Sequence, residues 1–464
     1  MTIALRSPDV VMRFARLGAS HATRLSFLRS LMRRAARENW SVRRAKWEMD
    51  DEGFGYAVYV LNMPARQYSL VAFSTRLDPS NRTDRVIAQA WDSSYVLYDG
   101  VPDANEVDRL QANAPLQEAG RFTARELVLA RANKSVRLFD AVVTALSRGS
   151  QPDAEELRDI GYLMRSTAVY GNGKFGISDR EEFAGRPELS APFQAEMLTV
   201  WMIRSFTIEL AEHIARRCNP AGSVRLDPAL RRALGLGNAT GLGMAPFLVR
   251  HPMLMHNWIH ARESALARVR LLETAGERGQ AAFMQALQKL RGGVRHWRTS
   301  DPRQASAVQG LGNDLDALAA ASAGLFETSH FPWNAIYEYA EKCLSVEGQE
   351  ACVALLIEPH GELVDDLANH MAADESTSFD IDGRMNCSAL KSLIDENYAW
   401  AREFDFDSPA SNARFWYVSA EKQEPRLGER FEEEGAELEQ PLAIARDAMA
   451  LSHVLCKIAC NNAP

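Results

Sequence analysis

The hydrophobic period of this chain changes twice, and those changes restrict what it can fold into. From 8 to 39 (PDVVMRFARLGASHATRLSFLRSLMRRAAREN) apolar residues recur at helical spacing among basic ones, with Gly18 and Ser20 marking a break into two helices. From Trp40 the pattern becomes β-rich. SVRRAKWEM (41–49), GYAVYVLNM (55–63), QYSLVAFST (67–75) and RVIAQAWDSSYVLYDG (85–100) are separated by the turn-forming stretches DDEGF, PAR and LDPSNRTD. After Pro102 helical spacing takes over, at 123–148, 153–168, 191–217, 226–234, 245–273, 276–292, 302–323, 332–345, 361–373, 386–404 and 440–461.

The expected fold is therefore α+β and predominantly α-helical, with a small N-terminal antiparallel sheet of three to four strands packed against a large helical domain. The expected division is 1–120 for the first helices and the β-meander and 121–464 for the helical part. A late aromatic and β-branched segment, RFWYVSAE (414–421), is expected to return to the sheet, or the surrounding 413–430 to act as a lid.

Composition narrows the function classes. The net charge of −8 argues against general affinity for nucleic acid or anionic membranes. Charge is uneven, however: residues 1–46 hold ten Arg and one Lys against Asp9 and Glu38, and 421–440 hold eight Glu. Either the two ends attract each other or each run is a solvated helix face. The six cysteines form no Cys-x-x-Cys pair and read as reduced thiols, which points to a cytoplasmic protein. No signal-peptide-like or membrane-spanning apolar run is legible.

Two glycine-rich interruptions of the helical part carry the functional reading, because glycine inside a helix costs about 1 kcal/mol against alanine. The first, RSTAVYGNGKFGISDRE (165–181), has Gly171, Gly173 and Gly176 around Asn172 and Lys174. Such a loop lets backbone N–H groups approach an anion while lysine supplies charge, and Arg165 could add a two-bond contact. It is neither a Rossmann nor a P-loop signature. The second, LGLGNATGLGMAPFLVRHP (234–252), sets Asn238, Thr240 and Gly241 before a helix, with Arg250 and His251 following. The expected substrate-binding residues are Arg165, Asn172, Gly173, Lys174, Asn238, Thr240, Gly241 and Arg250. His251 is the expected catalytic acid or base, with Glu196 and Glu212 of 191–217 as alternative carboxylates.

The leading expectation is an enzyme acting on a small organic anion, a carboxylate or phosphate, by proton transfer and without a cofactor. Lyase or isomerase chemistry asks least of the legible residues. No partner other than this substrate is expected, save a second copy of the chain, since the apolar faces of 191–217 and 440–461 suit a dimer as well as a core. The first alternative is a non-catalytic helical binding or assembly protein. The second is a metalloenzyme using His256 and His260, which stand four apart in HNWIHARE, with Glu263 three further on. The stretch EPHGELVDDLANH (358–370) is metal-like in composition, though its acids also suit a helix start.

Overall fold

A computed structural model describes residues 3–11, 16, 24–25, 27–78, 90–116, 121–171, 185–189, 194–238, 252–296, 302–364 and 367. The strands are β1 Ser41–Met49, β2 Gly55–Asn62, β3 Gln67–Ser74, β4 Ser93–Asp99, β5 Glu126–Lys134, β6 Tyr162–Gly171 and β7 Gly235–Asn238. The helices are α1 Pro8–Val11, α2 Phe27–Arg37, α3 Ala104–Asn113, α4 Phe139–Ser147, α5 Ala154–Ile160, α6 Gln194–Cys218, α7 Pro228–Ala233, α8 Pro252–Arg270, α9 Gly276–His296, α10 Pro302–Thr328, α11 Pro332–Cys343, α12 Val346–Ile357 and α13 Gly361–Val364. Leu31–Met244 form one compact unit, and Met1–Ser30 with Ala245–Pro464 form the other.

Among the described residues the first unit carries one mixed sheet of seven strands, curled as a half-barrel, in the order β1-β2-β3-β4-β5-β6-β7. This corrects the small three- to four-stranded antiparallel sheet expected from sequence; the helical part is present. Neighbours are antiparallel through β6, and β7 joins β6 in parallel. The parallel step follows from connectivity, since α6 and α7 lie between β6 and β7 and a helical crossover returns the chain in the same direction.

Local chemistry sets the turns. Asp50 Oδ1 accepts from the N–H groups of Glu52 (3.0 Å) and Phe54 (2.8 Å), while Gly53 supplies the φ of +82° that closes the β1–β2 hairpin. In α5, Asp153 caps the N-terminus and Gly161, at φ +71°, ends the helix in the left-handed conformation. The chain then leaves directly as β6.

Both faces of the sheet are covered. On one, Val58, Val60, Val71, Phe73, Val96, Tyr98 and Leu129 pack with Val107 and Leu110 of α3. On the other lies α6, whose buried Phe206 meets the rings of Tyr59 and Tyr95 edge-on at 6.4 and 5.7 Å. Helix α4 packs along α6. Arg204 of α6 donates to the carbonyls of Arg231 and Leu234, which closes the end of α7 and positions the start of β7. The Gly235 N–H then bonds Gly161 O at 2.7 Å.

The helices of the second unit enclose an aromatic trio: Trp333 stands 5.8 Å from Phe283 and 5.2 Å from Phe326, and those two are 5.6 Å apart. His360 packs edge-on against Trp333 at 4.7 Å, and its burial pushes the imidazole below its ordinary range. No helix among the described residues is long and apolar enough to cross a membrane.

Candidate functional site

Strands buried on both faces should carry apolar side chains almost throughout, and most of β2 to β5 obey. Besides the single buried polar residues Ser69, Ser94 and Glu126, a polar band crosses the sheet near one end. Register lines up Ser74 of β3 with Ser93 of β4, Ser93 with Ala132 of β5, Ala132 with Ser166 of β6, and Ser166 with Asn238 of β7. Directly opposed residues share a face, so this is one row of small and hydroxyl-bearing positions.

The row faces α6. Tyr95, two residues after Ser93, packs on Phe206 of α6, and its hydroxyl donates to Met164 Sδ at 3.0 Å, two residues before Ser166. Lys134 lies on the same face two residues after Ala132. It is buried, with its Nζ 4.9 Å from the Phe139 ring centre and 5.5 Å from that of Phe54. Ser74, Ser93 and Ser166 are buried too, and the hydroxyls of Ser74 and Ser93 have no hydrogen-bond partner among the described residues. A buried hydroxyl left unpaired costs about 1–3 kcal/mol. Two opposed ones therefore mark a place that a polar occupant would relieve.

A second row backs the first on the opposite face. Asn133 of β5 aligns with Arg165 of β6, and Arg165 with Gly237 of β7. Asn133 Oδ1 accepts from the Asp92 N–H at 2.8 Å and its Nδ2 donates to Ala90 O at 3.1 Å. The Asp92 carboxylate accepts from the Lys134 N–H at 2.9 Å. These bonds fix the backbone on which Ser93 and Lys134 stand. Asp92, Asn133 and Arg165 are all buried.

Helix α6 lies on the face of the hydroxyl row and carries Glu196 in its first turn, at the end where Gln194 and Glu188 meet Arg34 and Glu188 meets Tyr68; the opposite end of the helix, at Ile214, reaches the β1–β2 hairpin beside Ser74. Burial pushes this carboxyl up to about 7, offset in part by its own backbone N–H. A carboxyl that titrates near neutrality can either give or accept a proton. Tyr95 is shifted in the same sense, its phenol held protonated well above the ordinary range by burial.

No known protein family, no characterised protein and no solved structure matches this chain. The site therefore rests on its own geometry.

Of the residues singled out from sequence, Arg165, Glu196 and Asn238 are described, Asn238 by its backbone register. Pairing of β6 with β7 brings the starts of the two glycine-rich segments side by side, with Ser166 against Asn238 and Arg165 against Gly237. Arg165 is on the face away from the hydroxyl row, so Lys134 is the cation that shares that row's face. Asn172, Gly173, Lys174, Thr240, Gly241, Arg250 and His251 lie outside the described residues, as does 414–421. His260 is exposed on α8, and the side chain of His256 on the same helix is outside the description. Sequence reasoning missed Ser74, Ser93, Lys134 and Ser166. Their only signal was a serine inside two strand-like runs and another at the start of the first glycine-rich segment, and it acquires meaning only through register.

Proposed function

We propose that this chain binds a small organic anion, a carboxylate or phosphate, against the hydroxyl row of the sheet and acts on it by proton transfer. Lyase or isomerase chemistry is the class that asks least of these groups. The observation that carries the reading is the pair of opposed, unpartnered hydroxyls of Ser74 and Ser93 on the same face as the Lys134 ammonium. Hydroxyl donors and a cation at a buried place form the usual receptor for an anion, and burial strengthens each contact. Glu196 is the carboxyl proposed for proton transfer, because burial raises it to about 7; it stands in the first turn of α6, toward the Tyr68 end of this face and not against Ser74 and Ser93.

The test is a thermal-shift screen of organic acids and phosphates against the wild type, Lys134→Met and Glu196→Gln. An anion that raises the melting temperature of the wild type should lose that effect in Lys134→Met and keep it in Glu196→Gln. A screening hit should then be turned over by the wild type and not by Glu196→Gln. A hit that stabilises wild type and folded Lys134→Met equally would place the site elsewhere.

A further inference from the structure

The densest buried charge in the second unit joins the start of the chain to helices far along it. Glu350 of α12, 0% exposed, accepts from Arg6 Nη1 at 2.9 Å, from Arg16 Nη1 at 2.7 Å and from Arg262 Nη2. Arg6 also grips Glu263 of α8 with a two-bond fork, Nε at 2.8 Å and Nη2 at 2.7 Å. All three nitrogens of one guanidinium are thus read by two carboxylates. Glu341 of α11 stands 3.9 Å from Arg6 Nη1 as a third. A lysine ammonium, a point charge on a flexible stem, could not satisfy this planar arrangement.

Burial alone would raise the Glu350 carboxyl, yet Arg262, Arg6 and Arg16 hold it well below the ordinary carboxylate range. Take Arg6 and Arg16 away, and the buried Glu263 and Glu350, with Glu341 at their exposed rim, face Arg262 with a negative excess.

A separate feature nearby points to the same chemistry. A Cβ on Gly361 would collide with the Arg24 guanidinium, so the missing side chain leaves a notch for it. Arg24 Nη1 donates to Glu358 O at 2.6 Å. Arg29 forks onto the Glu358 carboxylate at 2.6 and 2.9 Å. Four arginines of the N-terminal segment therefore each meet a receptor on the helices.

We propose that the trough of Glu263, Glu341 and Glu350 is a guanidinium-binding site that the chain's own N-terminal segment fills, with Arg6 as the head group of an internal ligand. The ligand class it takes is the arginine side chain of a peptide segment. When its own arginine is absent, the trough accepts another guanidinium from solution.

Chemical rescue tests this on the full chain. Arg6→Ala is melted in the presence of increasing ethylguanidinium or N-acetyl-arginine amide, with ethylammonium at matched ionic strength as control. The expected result is a lowered melting temperature that recovers saturably, by at least half of the loss, with the guanidinium compounds and not with ethylammonium. The wild type should show no saturable response. A folded Arg6→Ala protein with no saturable recovery, or with equal recovery from ethylammonium, overturns the proposal. Should Arg6→Ala fail to fold, the same titration follows its refolding, which the guanidinium compounds should restore and ethylammonium should not; no restoration, or equal restoration by ethylammonium, overturns the proposal. Gly361→Ala gives an independent reading: hydrogen exchange should quicken at Arg24 and Leu25 and stay unchanged across α9 to α12, and unchanged exchange at Arg24 would show that the notch does not hold it.

Discussion

Glu196 enters the folded state as a carboxyl shielded from water, and that fixes the sign of its effect on stability. Its folded value is about 7 against an ordinary 4.5, so the native state holds the proton more tightly than the unfolded chain does. The carboxyl causes no penalty below pH 4.5, and one that grows as pH rises from there to 7. Above that the cost is on the order of 3 kcal/mol, since each tenfold difference in proton affinity between the two states is worth about 1.4 kcal/mol. Glu196→Gln should therefore flatten the fall in stability between those pH values, as followed by urea denaturation at a series of pH values. An unchanged slope would show that the carboxyl is hydrated in the native state. The hydroxyl row behaves in the opposite way. Ser74→Ala with Ser93→Ala removes two unpaired buried groups and should leave stability unchanged or raise it by about 1 kcal/mol, while weakening anion binding. Glu350→Gln should destabilise by about 3–5 kcal/mol, because it removes the buried negative charge that three guanidinium groups share.

Among the elements, α6 is the piece on which the sheet unit depends, with Phe206 set between Tyr59, Tyr95 and Trp47. Phe206→Ala should cost about 3–5 kcal/mol in denaturant unfolding. Gly161→Ala should cost about 1 kcal/mol or more, because its φ of +71° suits glycine. That same glycine explains what could be read from sequence. Strands β1 to β4 were legible because β-branched and aromatic runs and the turn-forming stretches between them agree there. The reading of 123–148 as one helix overrode β5, whose ELVLARANK is rich in helix formers; burial on both faces decided against local propensity. The reading of 153–168 as one helix ran through Gly161, which is the stop signal that starts β6. Strand β7, GLGN, has no propensity signal and forms because α7 and Arg204 deliver it to the β6 edge. Helix α12 went unread because VEGQEACVALLI is buried nearly all round and shows no amphipathic stripe.

Across the chain as a whole, the charge asymmetry seen in the sequence has a partial answer. Arg6, Arg16 and Arg29 of the basic start are engaged with Glu263, Glu350 and Glu358, not displayed as a solvated face, and 421–440 lie outside the described residues. The candidate site was half legible. Glycine-rich interruptions pointed to the β6–β7 edge, where Asn238 pairs with Ser166 of the polar band and Arg165 lies on the opposite face. The hydroxyls and Lys134 became visible only once register put residues from five strands in line. Whether this band holds an anion is decided by calorimetric titration of the best-stabilising organic acid or phosphate. Wild type should bind, with affinity reduced by roughly 10- to 100-fold in Lys134→Met, as loss of one charge-assisted contact of about 1.5–3 kcal/mol implies. Equal affinity in wild type and folded Lys134→Met would show that the anion does not sit on the band.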